Sequence, residues 1–373
     1  MQKTRVTTIL GTRPELIRLS SMLEKFDNGF SHRVVHTGQN SDPQLSDIFI
    51  KELGIREPDL YLGIPAGSVA SFCAQLFIDI EKEFEQNPTD AVVILGDTNS
   101  ALAGIIAKRR GIPVYHLEAG NRSFDSNVPE EINRRIVDHF ADYNLAYTKN
   151  AMQNLLNEGL KPNSMTVIGS PLNEVLTRYS SEINQSSILD SLKVVPQGYF
   201  LVSAHRQENI DLESRLASLI ESLNWMAQEF DVPVIVSTHP RMRDKLRKSG
   251  LSLEKNILLH EPFGFLDYNK LQINARIVLS DSGSVSEEAA ILGFPAITIR
   301  DSMERPEALE TGSVIMSGIS VIGISEAIQI LTKLPRAKSI PSDYQVQDTS
   351  TRVLNFIAST IHSHDFRVGL RRR

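Results

Sequence analysis

The sequence predicts an α/β protein of two doubly wound parallel sheets, and three observations carry that reading. Short apolar, β-branched runs recur along the chain with helix-length segments between them, the pattern of strands buried on both faces by helices. The runs fall into two sets of six, separated by a polar stretch. A length of 373 residues, at about 150 per domain, accommodates two domains and an extra element.

In chain order, the first set is Val6–Leu10, Arg33–His36, Ala91–Leu95, Pro113–Leu117, Tyr143–Tyr147 and Met165–Ile168. The second is Tyr199–Ser203, Pro233–Ser237, Asn256–His260, Ala275–Ser280, Ala296–Ile299 and Ser313–Met316. Tyr179–Gly198 is polar and ends in Val-Val-Pro-Gln-Gly, so it reads as a linker with one short helix. Residues 1–178 and 199–345 are then the two domains, and 346–373 a closing helix and tail. The apolar spacing of Val353, Leu354, Phe356 and Ile357 predicts that helix, and the basic end Arg367–Arg373 reads as frayed.

Composition limits the partners. The 39 Lys and Arg against 45 Asp and Glu give a net charge of −6, which provides no global field for nucleic acid or anionic lipid, so any bound anion is held by local groups. The single cysteine, Cys73, sits in an apolar run as filler and builds neither a disulfide nor a thiolate cluster. Met1–Leu10 reaches a turn too soon for a signal peptide, and no apolar run approaches the roughly 18 residues of a membrane span. The expectation is a cytoplasmic protein with no membrane or nucleic-acid partner.

Candidate chemistry collects where strands end. Gly11-Thr-Arg-Pro-Glu15 opens a helix after the first strand, and Arg13 and Arg18 add charge near free amides, as a phosphate seat or as an ordinary turn. It is not the dinucleotide fingerprint, so no nicotinamide cofactor is expected. Asp97 stands two residues past a strand, as helix N-cap or as reacting carboxylate. Glu118 ends the next strand, and Glu130 and Glu131 open the helix after it, either as dipole partners or folded over one pocket. In the second half His205 and Arg206 follow a strand. Ser282, Gly283 and Ser284 either cap a helix or offer amides and hydroxyls to a diphosphate at its start, with Glu288 one turn on for a ribose diol and Arg305 for a phosphate. His36, His205, His239 and His260 follow no ligand spacing, so no metal is expected.

Seven motifs in order, Gly11-Thr-Arg-Pro-Glu15, Gly96-Asp-Thr98, Glu118-Ala-Gly120, Pro129-Glu-Glu131 with Asn133-Arg134, His205-Arg206, Asp281-Ser-Gly283 with Glu287-Glu288, and Arg300-Asp301 with Glu304–Glu307, resemble the UDP-N-acetylglucosamine 2-epimerase family. The resemblance spans about residues 5 to 320. It implies two Rossmann-like domains facing across a cleft, as in GT-B enzymes, and a homodimer without cofactor. It implies uridine diphosphate contacts from Arg13, Arg18, His205, Ser282, Gly283, Ser284, Glu288 and Arg305, with Arg134, Arg206 and Tyr268 also binding substrate. Asp97, Glu118, Glu130 and His205 are the catalytic candidates it implies.

The chain departs from the N-acetylglucosamine type in the short loop Asn121–Pro129 and in Gly38-Gln-Asn40, which replaces the Gln-His pair of a secondary effector site. With Ser203–Asn209 and Glu261–Tyr268, these variants look like the branch that makes UDP-N-acetyl-L-fucosamine from UDP-2-acetamido-2,6-dideoxy-L-talose for surface polysaccharide. A UDP-GlcNAc/UDP-ManNAc 2-epimerase, hydrolysing or not, and a GT-B glycosyltransferase using a UDP-sugar are the alternatives.

Overall fold

Every strand in the computed structural model pairs in parallel, in two separate sheets. The structure describes residues 3–39, 43–65, 67–204, 206–238, 240–334 and 339–370. The first sheet holds β1 Arg5–Leu10, β2 Ser31–His36, β3 Leu60–Tyr61, β4 Ala91–Leu95, β5 Val114–Leu117, β6 Tyr143–Ala146 and β7 Met165–Val167, in the order β3-β2-β1-β4-β5-β6-β7. The second holds β8 Phe200–Ser203, β9 Val234–Ser237, β10 Ile257–His260, β11 Ile277–Ser280, β12 Ala296–Thr298 and β13 Val314–Met316, in the order β10-β9-β8-β11-β12-β13.

All twelve expected strands are present. The thirteenth, β3, is a two-residue edge strand beside His36, too short to leave a periodic signal. Each sheet reverses its winding once, between β1 and β4 and between β8 and β11. Loops on either side of such a reversal diverge, which opens a crevice at the carboxyl ends of the strands. The loops after β1, β4, β8 and β11 carry Gly11, Asp97, Arg206 and Ser282–Ser284.

The chain divides into Met1–Arg178 with Asp343–Arg373, and Tyr179–Ser342. The stretch expected as a linker is therefore part of the second unit. It forms the short helices Ser180–Gln185 and Ile188–Ser191, and Ile188, Leu189 and Leu192 pack against the core around Tyr199 and Leu271. The closing helix Thr349–Thr360 returns to the first unit. Its Val353 and Ile357 are fully buried among Leu16, Leu19 and Tyr115, and Thr360 bonds the Tyr115 hydroxyl at 2.8 Å.

In place of a frayed tail, His364–Val368 continues as a short helix, while Arg371–Arg373 lie outside the described residues. Cys73 is half-buried against the core of its sheet. Among the described residues, no helix is long and apolar enough to cross a membrane.

Candidate active site

The turn after β1 is built around a carboxylate that the sequence reading passed over. A Cβ on Gly11 would lie 2.1 Å from Thr37 Oγ1 and 2.3 Å from Ser100 Oγ, so the close approach of three loops admits only glycine. Glu15, in the first turn of the helix Arg13–Gly29, is 2% exposed. Its Oε2 accepts from the Gly11 amide at 2.7 Å, the Thr12 amide at 2.7 Å and the Thr12 hydroxyl at 2.9 Å. Its Oε1 accepts from the Thr98 hydroxyl at 2.7 Å. The spacing Thr12-Arg-Pro-Glu15, a capping-box pattern, was the available signal.

Burial lifts the Glu15 carboxyl to about 7 from an ordinary 4.5, and the four donors only partly oppose this. The folded protein thus holds this proton more tightly than the unfolded chain. The associated stability is fully present below pH 4.5 and is lost as pH rises to about 7. Denaturant unfolding of wild type against Glu15→Gln should show a difference that shrinks by about 3 kcal/mol across that window. Parallel profiles would contradict it.

Asp97 follows β4, and its side chain is 24% exposed. It is not the helix cap that its position also allowed, because Thr98 occupies the N-cap of the 3₁₀ turn Asn99–Ala103. Instead the Asp97 carboxylate takes Arg134 Nε at 3.1 Å and a second, shorter contact from Arg134 Nη2. Arg134 also donates from Nη1 to Glu131 at 2.9 Å, while Asn133 donates to the Asp97 carbonyl at 3.0 Å. The expected substrate-binding arginine thus has its fork on two carboxylates.

Glu130 is exposed in the first turn of the helix Pro129–Phe140, and its neighbour Glu131 carries the contacts. Burial opposes ionisation of Glu131, yet the Ser123 amide and hydroxyl, Arg134 and Arg135 hold its carboxyl below the usual range.

Glu118 follows β5 with φ of +66°, a left-handed conformation that costs a non-glycine residue about 1 kcal/mol and that clusters at functional sites. Its Oε2 lies 3.5 Å from Arg18 Nε, and the Arg18 guanidinium lies 5.6 Å from the centre of the Tyr147 ring. Arg13 lies 5.8 Å from the centre of the Phe49 ring. Behind Glu118 is a buried network. Asp138 contacts His116 Nδ1 at 2.9 Å and Arg122 Nη1 at 2.7 Å, and accepts from the Gly120 amide at 3.2 Å. The other ring nitrogen of His116 donates to the Gly96 carbonyl at 2.8 Å, so this histidine joins the loops bearing Asp97 and Glu118.

His36, the first of the strand-end histidines, is a packing residue. Its ring stacks on Tyr61 at 4.8 Å, its Nδ1 accepts from the Gly38 amide at 3.1 Å, and burial pushes it down to about 4.

In the second unit the turn after β11 places Ser282 and Ser284 with hydroxyls 3.0 Å apart at the start of the helix Val285–Leu292. A Cβ on Gly283 would lie 2.2 Å from Glu304 Oε1 and 2.6 Å from Arg305 Nη1, so the turn rests directly on a carboxylate–arginine cluster. Glu304 accepts from Arg300 at 2.6 Å and lies 3.6 Å from both Arg206 Nη2 and Arg305 Nη1. Arg305 Nε lies 2.7 Å from Glu287. Glu288 accepts from Gln272 at 2.6 Å. Tyr268 is half-buried, its phenol pushed up by desolvation and then by the Glu288 charge, while Ser203 and Ser280 bond it. Arg206, Arg305 and the Ser282–Ser284 turn therefore share one locality. His205 and His239 lie outside the described residues.

Comparison with known proteins agrees with the fold of two parallel sheets. The model of the family described as UDP-N-acetylglucosamine 2-epimerase matches residues 24–358. A Methanocaldococcus jannaschii UDP-N-acetylglucosamine 2-epimerase is 36% identical over 89% of this chain and 93% of its own length. A structure of the UDP-GlcNAc 2-epimerase from that organism, in complex with UDP-GlcNAc and UDP, superposes with a TM-score of 0.90 at 34% identity, covering 95% of this chain and 100% of the other. That of a Rickettsia bellii UDP-N-acetylglucosamine 2-epimerase does so at 0.92 and 39%, covering 99% and 100%. A Pseudomonas aeruginosa UDP-2,3-diacetamido-2,3-dideoxy-D-glucuronate 2-epimerase is 33% identical over 95% of this chain and 99% of its own length. With the parallel sheets, the strand-end carboxylates and these matches together, the chain belongs to the UDP-N-acetylglucosamine 2-epimerase family and is a UDP-sugar isomerase.

Proposed function

We propose that the protein inverts C2 of a UDP-2-acetamido sugar by eliminating UDP and adding it back, without net hydrolysis. The observation that carries this reading is the pair Asp97 and Glu118 at the ends of the adjacent strands β4 and β5, each held against an arginine, with Glu118 in a strained backbone.

C2 of an amino sugar has no neighbouring carbonyl to acidify its proton. Departure of the anomeric diphosphate supplies the missing activation. As the C1–O bond breaks toward UDP, the C2–H pair forms a C1=C2 bond and the proton passes to a carboxylate among Asp97, Glu118 and Glu130. Return of a proton to the opposite face of C2 and attack of UDP oxygen on C1 complete the inversion. Arg13, Arg206, Arg305 and the Ser282–Ser284 helix start are assigned to the charge of the leaving diphosphate, with Arg18 and Arg134 tuning the carboxylates they contact. His205 joins them on its sequence position.

The finer substrate we propose is UDP-2-acetamido-2,6-dideoxy-L-talose, giving UDP-N-acetyl-L-fucosamine in a cytoplasmic homodimer that supplies surface polysaccharide. It rests on Asn121–Pro129 and Gly38-Gln-Asn40, of which Asn40 lies outside the described residues. A second reading, UDP-GlcNAc to UDP-ManNAc, is favoured by the names of the relatives above.

Each UDP-sugar incubated in deuterium oxide and followed by NMR separates these readings. Deuterium is expected at C2 of substrate and product without accumulation of UDP. Retention of the C2 hydrogen would refute the elimination, released sugar and UDP would make the enzyme hydrolytic, and exchange in UDP-GlcNAc alone would assign the second substrate.

A further inference from the structure

The loops after β1, β2 and β4 are joined by a buried polar knot that the chemistry above leaves unused. Ser100 donates from its amide at 3.0 Å and its hydroxyl at 2.9 Å to Gln39 Oε1. With that proton committed, the Thr37 hydroxyl, 2.7 Å away, donates to Ser100. Gly11 is wedged against both hydroxyls, and its amide is held by Glu15. Glu15 in turn reaches across to Thr98, the residue after Asp97. Two of the groups facing its oxygens are backbone amides, which can only donate, and the Thr12 and Thr98 hydroxyls donate to the ionised carboxylate as well.

We propose that Glu15 is a positioning residue for Asp97: through the Thr98 hydroxyl, its carboxylate fixes the β4 loop against the Gly11–Thr12 turn. The proposal rests on the reading in which Asp97 takes part in proton transfer. Arg134 holds the Asp97 side chain from one direction, and the Glu15–Thr98 bond holds its backbone from the other. Displacement of a reacting group by about 1 Å costs up to 100-fold in rate, so a single bond at this place is expected to register in turnover rather than in affinity.

The test compares Thr98→Val, which deletes the hydroxyl at nearly constant shape, with Thr98→Ser, which keeps it, and with Glu15→Gln and the Glu15→Gln/Thr98→Val double variant. Two readouts are taken: steady-state C2 epimerisation, and amide hydrogen exchange of the segment 96–101. T98V is expected to lower kcat about 10- to 100-fold with KM changed less than about 3-fold, and to speed exchange in that segment, while T98S stays near wild type. The double variant should lose no more than the worse single one, because both changes cut the same link.

Wild-type kcat and exchange in T98V, or losses that multiply in the double variant, would overturn the proposal. Asp97→Asn serves as the control. If it leaves turnover intact while T98V still loosens the loop, the role given to Asp97 fails and the Glu15 link stands. If it abolishes turnover while T98V is silent, the link fails and the role of Asp97 stands.

Discussion

Asp97→Asn is expected to lower kcat for C2 epimerisation about 10²- to 10⁴-fold, the range for removing a positioned acid or base, with UDP affinity kept within about 3-fold. The substitution is nearly isosteric and leaves the Asn133 bond to the backbone carbonyl in place. Arg134 keeps Glu131 as an ionic partner, so the fold is not left with a solitary buried cation. The measurement is solvent deuterium incorporation at C2 beside calorimetric UDP binding. Exchange within about tenfold of wild type would remove Asp97 from the proton transfer and shift the role to Glu118.

The largest expected effect on stability comes from Asp138→Ala. Asp138 is fully buried and serves Arg122, His116 and the Gly120 amide together. Its removal strands a backbone amide and weakens the hold on a buried guanidinium that Glu158 still contacts. Breaking a buried pair in this way costs about 3–5 kcal/mol, which for a unit of this size lowers the melting temperature by about 10 °C. A calorimetric scan reads it directly, and a shift under about 2 °C would mean that the network contributes little. Turnover should fall as well, because the Gly120 amide and the His116 ring hold the loops that carry Glu118 and Asp97.

Legibility in the sequence followed the range of each interaction. The strands were readable because burial on both faces demands unbroken apolar runs, whereas β3 is two residues long and owes its place to pairing with β2. The polar segment after Tyr179 read as a linker because its few apolar residues become meaningful only once Tyr199 and Leu271 stand beside them. Asp97 was legible as a strand-end carboxylate but not as distinct from a helix cap. The partner that separates the two, Arg134, is 37 positions away. Glu15 carried a capping-box spacing, but its link to Thr98 in another loop leaves no trace in the sequence, and Asp138 is an isolated carboxylate whose importance comes from partners on other elements.

By itself, then, the sequence determined the α/β class, the two sets of parallel strands and the strand-end positions of Asp97, Glu118 and Ser282–Ser284, since local burial patterns and turn chemistry specify these. The tertiary structure alone decided which polar groups meet: Arg134 on Asp97, Arg18 on Glu118, Thr98 on Glu15, and Arg206 with Arg305 on Glu304. Apart from the neighbours Glu304 and Arg305, those pairings join residues remote in the chain, and only the winding of each sheet, reversing at β1 and β4 and at β8 and β11, brings their loops into contact.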